Sequence, residues 1–256
     1  MTKSAFENIT GAARLLFHNR RVVSLFFLIY FALLGTLLLF IITREATIKD
    51  VVVTMATLIV MPALFFLLQA MCITYGDAVN VRQLLSESVA ILRRLAIVTI
   101  PFILIGVLLY VTLGWVDARF SPPLQGRALL TAVRDGDTWP QIVVSTVRLV
   151  LFGIIFPLAC IHVWIAVKRQ DVRGVLQSIK PILSQAFSLR SVRTYVIGFG
   201  FFGILPYVLT AITTPSDRAW LEISLLGARV LLALCLMLVG WVVTVNALQR
   251  VSGEVG

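Results

Sequence analysis

Six stretches of this chain, residues 22–42, 51–75, 95–113, 142–167, 195–212 and 223–245, are each long and apolar enough to cross a lipid bilayer. A hydrocarbon core about 30 Å thick needs about 20 residues of helix. Inside it the backbone must satisfy its own hydrogen bonds, so such stretches fold as helices. Composition agrees: 59% of residues are hydrophobic and 13% charged, against about 45–50% and about 25% in a soluble domain. Mean hydropathy is +0.99. A soluble globular fold is excluded, and so is intrinsic disorder, which needs low hydrophobicity and high charge density. The expected fold class is all-α, a polytopic membrane protein with six transmembrane helices. The first stretch reads as a membrane helix and not a signal peptide, because Thr43-Arg44-Glu45 after it is no small-residue cleavage site.

The formal net charge is +10, and the positions of the cations decide its meaning. The N-terminus, the segments 76–94 and 168–194 and the C-terminus hold 14 Lys and Arg against five acids, a net +9. The intervening connections 43–50, 114–141 and 213–222 hold six against seven, a net −1. Short basic loops stay on the cytoplasmic side. Both termini are therefore expected to be cytoplasmic, and the charge reads as membrane topology with no nucleic-acid partner.

The basic connections carry helical periodicity of their own. Phe6, Ile9, Ala13, Leu16 and Phe17 precede the first span, with Ser4 and Glu7 as a capping box. Val81, Leu84, Leu85, Val89 and Leu92 precede the third; Val172, Val175, Leu176, Ile179 and Leu183 precede the fifth, with Pro181 bending that segment. Each runs into cations, Arg20 with Arg21, Arg93 with Arg94, and Arg190 with Arg193. An apolar stripe beside cations suits the interface, with the cations among anionic headgroups. The unit of interfacial helix plus helical hairpin recurs three times, over about 1–77, 78–169 and 170–256, in one membrane domain. The last two copies align without a gap over their returning spans, Arg148 with Arg229 and Arg169 with Arg250, the two arginines of each copy 21 residues apart. All copies insert in the same orientation, which makes this a parallel repeat.

Residues for chemistry are scarce. No phosphate-binding loop, nucleophile elbow, zinc-binding helix or acid pair within a span is present. Cys72, Cys160 and Cys235 lie in apolar stretches with no ligand partner nearby in sequence, so no disulfide, metal site or cofactor is expected. His162 reads as a hydrogen-bonded interfacial imidazole. No catalytic residue is assigned. Arg148 and Arg229 are the informative charges, since a charge at the bilayer centre costs at least about 2.5–3.5 kcal/mol. Each lies six residues into its span, about 9 Å deep. Two readings stand: snorkelling to the outer headgroups or pairing with Asp135, Asp137 or Glu222, and binding of an anionic headgroup or substrate.

Pro62, Pro101, Pro157 and Pro206 interrupt four spans. Gly198, Gly200 and Gly203 mark close helix packing. Trp115, Trp139 and Trp220 form an outer aromatic belt, and Tyr75, Trp164, Tyr195 and Trp241 an inner one. The segment 134–137 reads as a turn, and 128–133 as a short interfacial helix.

The pattern, as in Ala13-Arg-Leu-Leu-Phe-His-Asn-Arg-Arg21 leading into the first span, resembles the bacterial six-span membrane families that place short amphipathic segments before their helices. Among these is the membrane domain associated with glycerophosphodiester phosphodiesterases. The resemblance implies a bacterial inner-membrane location. It carries no catalytic residue over, because that family's hydrolase site lies in a separate soluble domain. Mitochondrial carriers also use three helix pairs, but their interfacial helix falls within each pair, and their Pro-x-acid-x-x-base signature is absent here. The expected function is non-enzymatic: a lipid-associated scaffold or accessory subunit contacting anionic lipids and other membrane subunits. The alternative is a small transporter or lipid-handling carrier for an anionic ligand, built on the proline-broken spans and the two arginines.

Overall fold

The computed structural model describes residues 5–43, 47–76, 80–120, 139–212 and 218–253. Its regular structure is helix alone among the described residues: α1 (Ala5–His18), α2 (Arg20–Ile42), α3 (Ile48–Thr74), α4 (Val81–Phe120), α5 (Trp139–Val150), α6 (Phe156–Arg169), α7 (Val172–Gln177), α8 (Ile179–Ala186), α9 (Leu189–Phe199), α10 (Leu205–Ala211) and α11 (Ala219–Gly253). Single π turns, Leu151–Ile155 and Gly200–Ile204, join α5 to α6 and α9 to α10. Six helices are long and apolar enough to cross a membrane, Arg20–Ile42, Ile48–Thr74, Val81–Arg119, Ile142–Arg169, Leu189–Ala211 and Trp220–Gly253. The chain is an all-α multi-pass membrane protein.

Local chemistry sets the ends of these helices. Asn19 separates α1 from α2 and accepts a hydrogen bond from Val22 N at 3.3 Å. Thr47 and Asp50 form a capping box at α3, with Thr47 Oγ1 accepting from Asp50 N at 3.3 Å and Asp50 Oδ2 from Thr47 N at 2.9 Å. Ser4, assigned the corresponding role before α1, lies outside the described residues, as do Asp135, Asp137 and the segment 128–133. The helix continues without a π turn through Pro62 in α3 and Pro101 in α4. Only Pro157 and Pro206 are each preceded by a π turn. Proline lacks an N–H, which leaves the carbonyl four residues earlier short of a donor. For Pro157 that carbonyl belongs to Gly153, and the Tyr195 hydroxyl donates to it at 2.7 Å.

The second amphipathic segment departs from expectation. Residues 81–94 are not a separate interfacial helix: they run unbroken into the third span as the 40-residue α4, about 60 Å long at 1.5 Å per residue. The stripe explains why. Leu84 is fully buried against the other spans, whereas Val89 is 61% exposed, so the segment packs on protein along one edge only. Thr74 Oγ1 and Ser88 Oγ, both buried and 2.8 Å apart, tie it to α3. The first and third segments are separate, α1 across α9 and α11, and α7 with α8 against α6. The local breaks do not follow the repeat either, since the fourth span contains a π turn and its counterpart α11 does not.

The core is concentrated toward the end that carries both described termini, called here the basic end. Met71–Ile73, Ile161, Val163, Val245, Ala247 and Leu248 are buried there together with Tyr195 and Leu95. At the opposite end Leu104, Leu108, Val111, Ile223 and Leu226 are exposed. The inner aromatic residues are not a lipid-facing belt. Trp164 is buried and donates to Thr99 Oγ1 at 2.8 Å, and Trp241 donates to Gln69 Oε1 at 2.8 Å, joining the fourth span to the third and the sixth to the second. An indole N–H inside a bundle needs an acceptor, and a neighbouring helix supplies it. Trp115 and Trp220 are exposed at the opposite end as expected; the Trp139 side chain lies outside the described residues.

The glycine cluster is used at one point. A Cβ on Gly198 would stand 2.0 Å from Thr244 Oγ1, so the fifth and sixth spans touch there; Gly200 faces open space and Gly203 meets Phe199 of its own span. The matching close approach on α11 is Gly240, where a Cβ would stand 3.0 Å from Phe202 N.

Candidate functional site

The two intramembrane arginines are engaged within the protein. Arg148 Nη2 lies 3.3 Å from Asp117 Oδ2 of α4, with both side chains about a third exposed, and its guanidinium sits 5.9 Å from the centre of the Tyr110 ring. The sequence offered Asp135, Asp137 and Glu222 as partners. Asp117 was counted among the outer acids without being matched to Arg148, because that match depends on how α4 and α5 are rotated. Arg229 Nη1 donates to the carbonyl of Ile212 at the end of α10. That carbonyl is one of the four a helix C-terminus leaves unbonded, and a cation there also suits the helix dipole. Exposed Glu222 forms no ion pair with either arginine. The two residues sit on separate helix pairs with separate partners, and no cavity described here is lined by both.

The interfacial cations are at the surface. Arg20, Arg21, Arg93, Arg94 and Arg193 are exposed and Arg190 is half-buried. Arg94 Nη1 pairs with Asp171 Oδ1 at 3.0 Å just before α7. Both groups are well exposed, so the bond contributes about 0–1 kcal/mol.

The basic end also holds a polar region that was not singled out from the sequence. Here α3, α6 and α11 end close together, and side chains serve their last carbonyls. Lys168 Nζ donates to Ile73 O at 3.3 Å and Asn246 Nδ2 to Cys72 O at 3.4 Å. The Tyr75 hydroxyl donates to Leu15 O at 2.8 Å near the end of α1. His162 is buried, with Nδ1 3.0 Å from Leu158 O and Nε2 3.2 Å from Ser191 Oγ. It is hydrogen-bonded as expected, inside the bundle and not at the interface.

Two cavities open between these helix ends and share one residue, Arg169. The larger, about 620 Å³, is bordered by Arg169, Gln185, Ser188, Arg190 and Ser252. The smaller, about 330 Å³, is bordered by Gly76, Lys168, Arg169, Gln249 and Arg250. No acidic side chain lines either one among the described residues. Arg169 and Arg250 form no hydrogen bond or ion pair among the described residues. The available signal was the gapless alignment of Arg169 with Arg250, which places a cation at the basic end of two returning spans.

The described residues contain no group of three or more His, Cys, Asp or Glu able to hold a metal ion. Cys72 is buried, and Cys160 and Cys235 half-buried, as free thiols. Comparisons with family models, with curated proteins and with solved structures returned no match.

Proposed function

We propose that this is a non-enzymatic integral protein of the bacterial inner membrane, a lipid-associated scaffold or accessory subunit of a membrane complex, with its termini in the cytoplasm. The observation that carries the reading is the pairing of exposed apolar and exposed basic side chains at the basic end. Phe17, Phe187 and Leu189 are exposed there, and so are Arg20, Arg21, Arg93 and Arg193. Apolar side chains insert at the acyl boundary while each cation near an anionic surface adds about 1 kcal/mol. The helical connections α1, α7 and α8 support the reading, since they give this end a folded surface for a partner.

The test is lipid retention by the purified protein. Replacing Arg20, Arg21, Arg93 and Arg193 by glutamine lowers co-purifying phosphatidylglycerol several-fold, measured by mass spectrometry, with unchanged thermal unfolding. Unchanged retention rejects lipid association, and failure to recover any stoichiometric membrane partner after cross-linking in cells rejects the scaffold. The second reading, a carrier for an anionic ligand, draws support from Arg148 Nε, which is buried without an acceptor. Anion flux into proteoliposomes that Arg148→Lys abolishes would favour it.

A further inference from the structure

The two cavities around Arg169 form a pre-built anion site, and we propose that it binds a phosphate group. The inference goes beyond the lipid-surface reading, because it concerns Arg169 and Arg250, exposed at an open cleft between helix ends, and not Arg20, Arg21, Arg93 and Arg193. Three observations carry it. First, Arg169 and Arg250 have no bonded partner among the described residues, although each guanidinium offers five N–H donors. Second, no acid lines the cleft among the described residues. Third, Ser252 is 95% buried yet its hydroxyl has no partner.

That hydroxyl, like that of Thr54, departs from the commoner pattern of this chain. Thr74, Ser88, Thr99, Thr194 and Thr244 all donate to the carbonyl four residues earlier in their helices, as buried helical hydroxyls generally do. Ser252 borders the larger cavity and does not. The carbonyl of Ser252 accepts from Gln185 Nε2 at 3.3 Å, which fixes α8 against α11 and holds the cleft wall.

Cations at helix C-termini also favour the helix dipole, and Arg169 Nη2 does lie near the end of α11, 3.4 Å from where a Cβ on Gly253 would stand. A capping cation donates to the terminal carbonyls, as Lys168 does to Ile73. Arg169 and Arg250 do not, although both border the cleft, and their donors are left open to an anion. Arg169 borders both cavities, Arg250 the smaller and Ser252 the larger, and together they offer donors to the several acceptor oxygens of a phosphate, which arginine grips at two points.

The phosphate has two sources, a lipid headgroup or a soluble phosphate compound. The test uses the full chain in phosphatidylcholine nanodiscs, with inorganic phosphate and phosphatidic acid as separate probes and native mass spectrometry as readout. Arg169→Gln lowers occupancy by either probe about tenfold or more, and Ser252→Ala lowers it several-fold. Arg173→Gln, an exposed cation on α7 at the same end, leaves it unchanged. Arg169→Lys keeps the charge and stem and also loses most binding, which maintains the test should the glutamine variant unfold. Retention of phosphatidic acid against excess phosphate assigns the lipid source; binding of phosphate without lipid assigns the soluble one. Binding of neither probe, or equal loss in the Arg173 and Arg169 variants, overturns the proposal.

Discussion

Arg148 Nη2 and Asp117 Oδ2 lie 3.3 Å apart and join the fourth span to the third at the end opposite the termini. Arg148 thus brings a charge into its span and meets a countercharge supplied by another helix. Because both side chains are about a third exposed, Asp117→Asn costs about 1–2 kcal/mol, less than the about 3–5 kcal/mol of a fully buried broken pair. Arg148→Leu costs a similar amount, and the double variant Asp117→Leu with Arg148→Leu recovers most of the loss. Thermal unfolding in lipid nanodiscs measures the cycle; strictly additive losses would show that the two groups do not interact.

Tyr195 and Pro157 form a second linked pair. Tyr195→Phe leaves the Gly153 carbonyl without its donor, and a hydrogen bond inside a bundle contributes about 0.6 kcal/mol on average and up to about 1.7. Pro157→Ala restores a backbone N–H, so Tyr195→Phe costs less in that background. An equal cost in both backgrounds would refute the compensation.

Gly198 and Gly200 lie two residues apart and respond oppositely. Gly198→Ala drives a methyl group into Thr244 and costs about 1–3 kcal/mol as overpacking. Thr244→Ala relieves part of that cost. Gly200→Ala enters open space and is neutral or stabilising by up to about 1 kcal/mol. Unfolding midpoints for the three variants check the order.

Leu84 and Val89 belong to one periodic stripe in the sequence but to different surroundings in the fold. Leu84→Ser loses a fully buried side chain and costs about 2–5 kcal/mol, opening residues 81–94 to protease. Val89→Ser, at a lipid- or water-facing position, leaves cleavage unchanged. Equal protection in both variants would show that this part of α4 is held by lipid and not by its protein contacts.

Topology is read by cysteine labelling at Ser86, which is exposed, and at Ser121, which lies outside the described residues. The background is low because Cys72 is buried and Cys160 and Cys235 half-buried. The charge asymmetry predicts labelling of position 86 only after permeabilisation and of position 121 in intact cells. The reverse pattern inverts the assignment.

The six membrane helices and the sorting of 14 cations to one set of connections were legible in the sequence, because apolar run length and charge are properties of the chain read locally. Helical periodicity likewise identified the first and third amphipathic segments as separate helices, whereas 81–94 runs on into the third span. Tertiary structure decided what periodicity cannot express: which face of each helix meets protein and which meets lipid. Leu84 and Val89 count equally in a stripe, and only packing separated them. Trp164 and Trp241, placed in a belt by their distance from the span ends, became interhelical donors because Thr99 and Gln69 face them. Asp117 stood among seven acids until helix rotation set it beside Arg148. Arg169, Ser252 and Gln185 lie on three different elements, and their shared cleft exists only where those helix ends converge. The physical reason is that lipid burial rewards apolar length whatever the neighbours, whereas a hydrogen bond or ion pair depends on a partner within about 3 Å, and that distance is set by how helices far apart in sequence are rotated against one another.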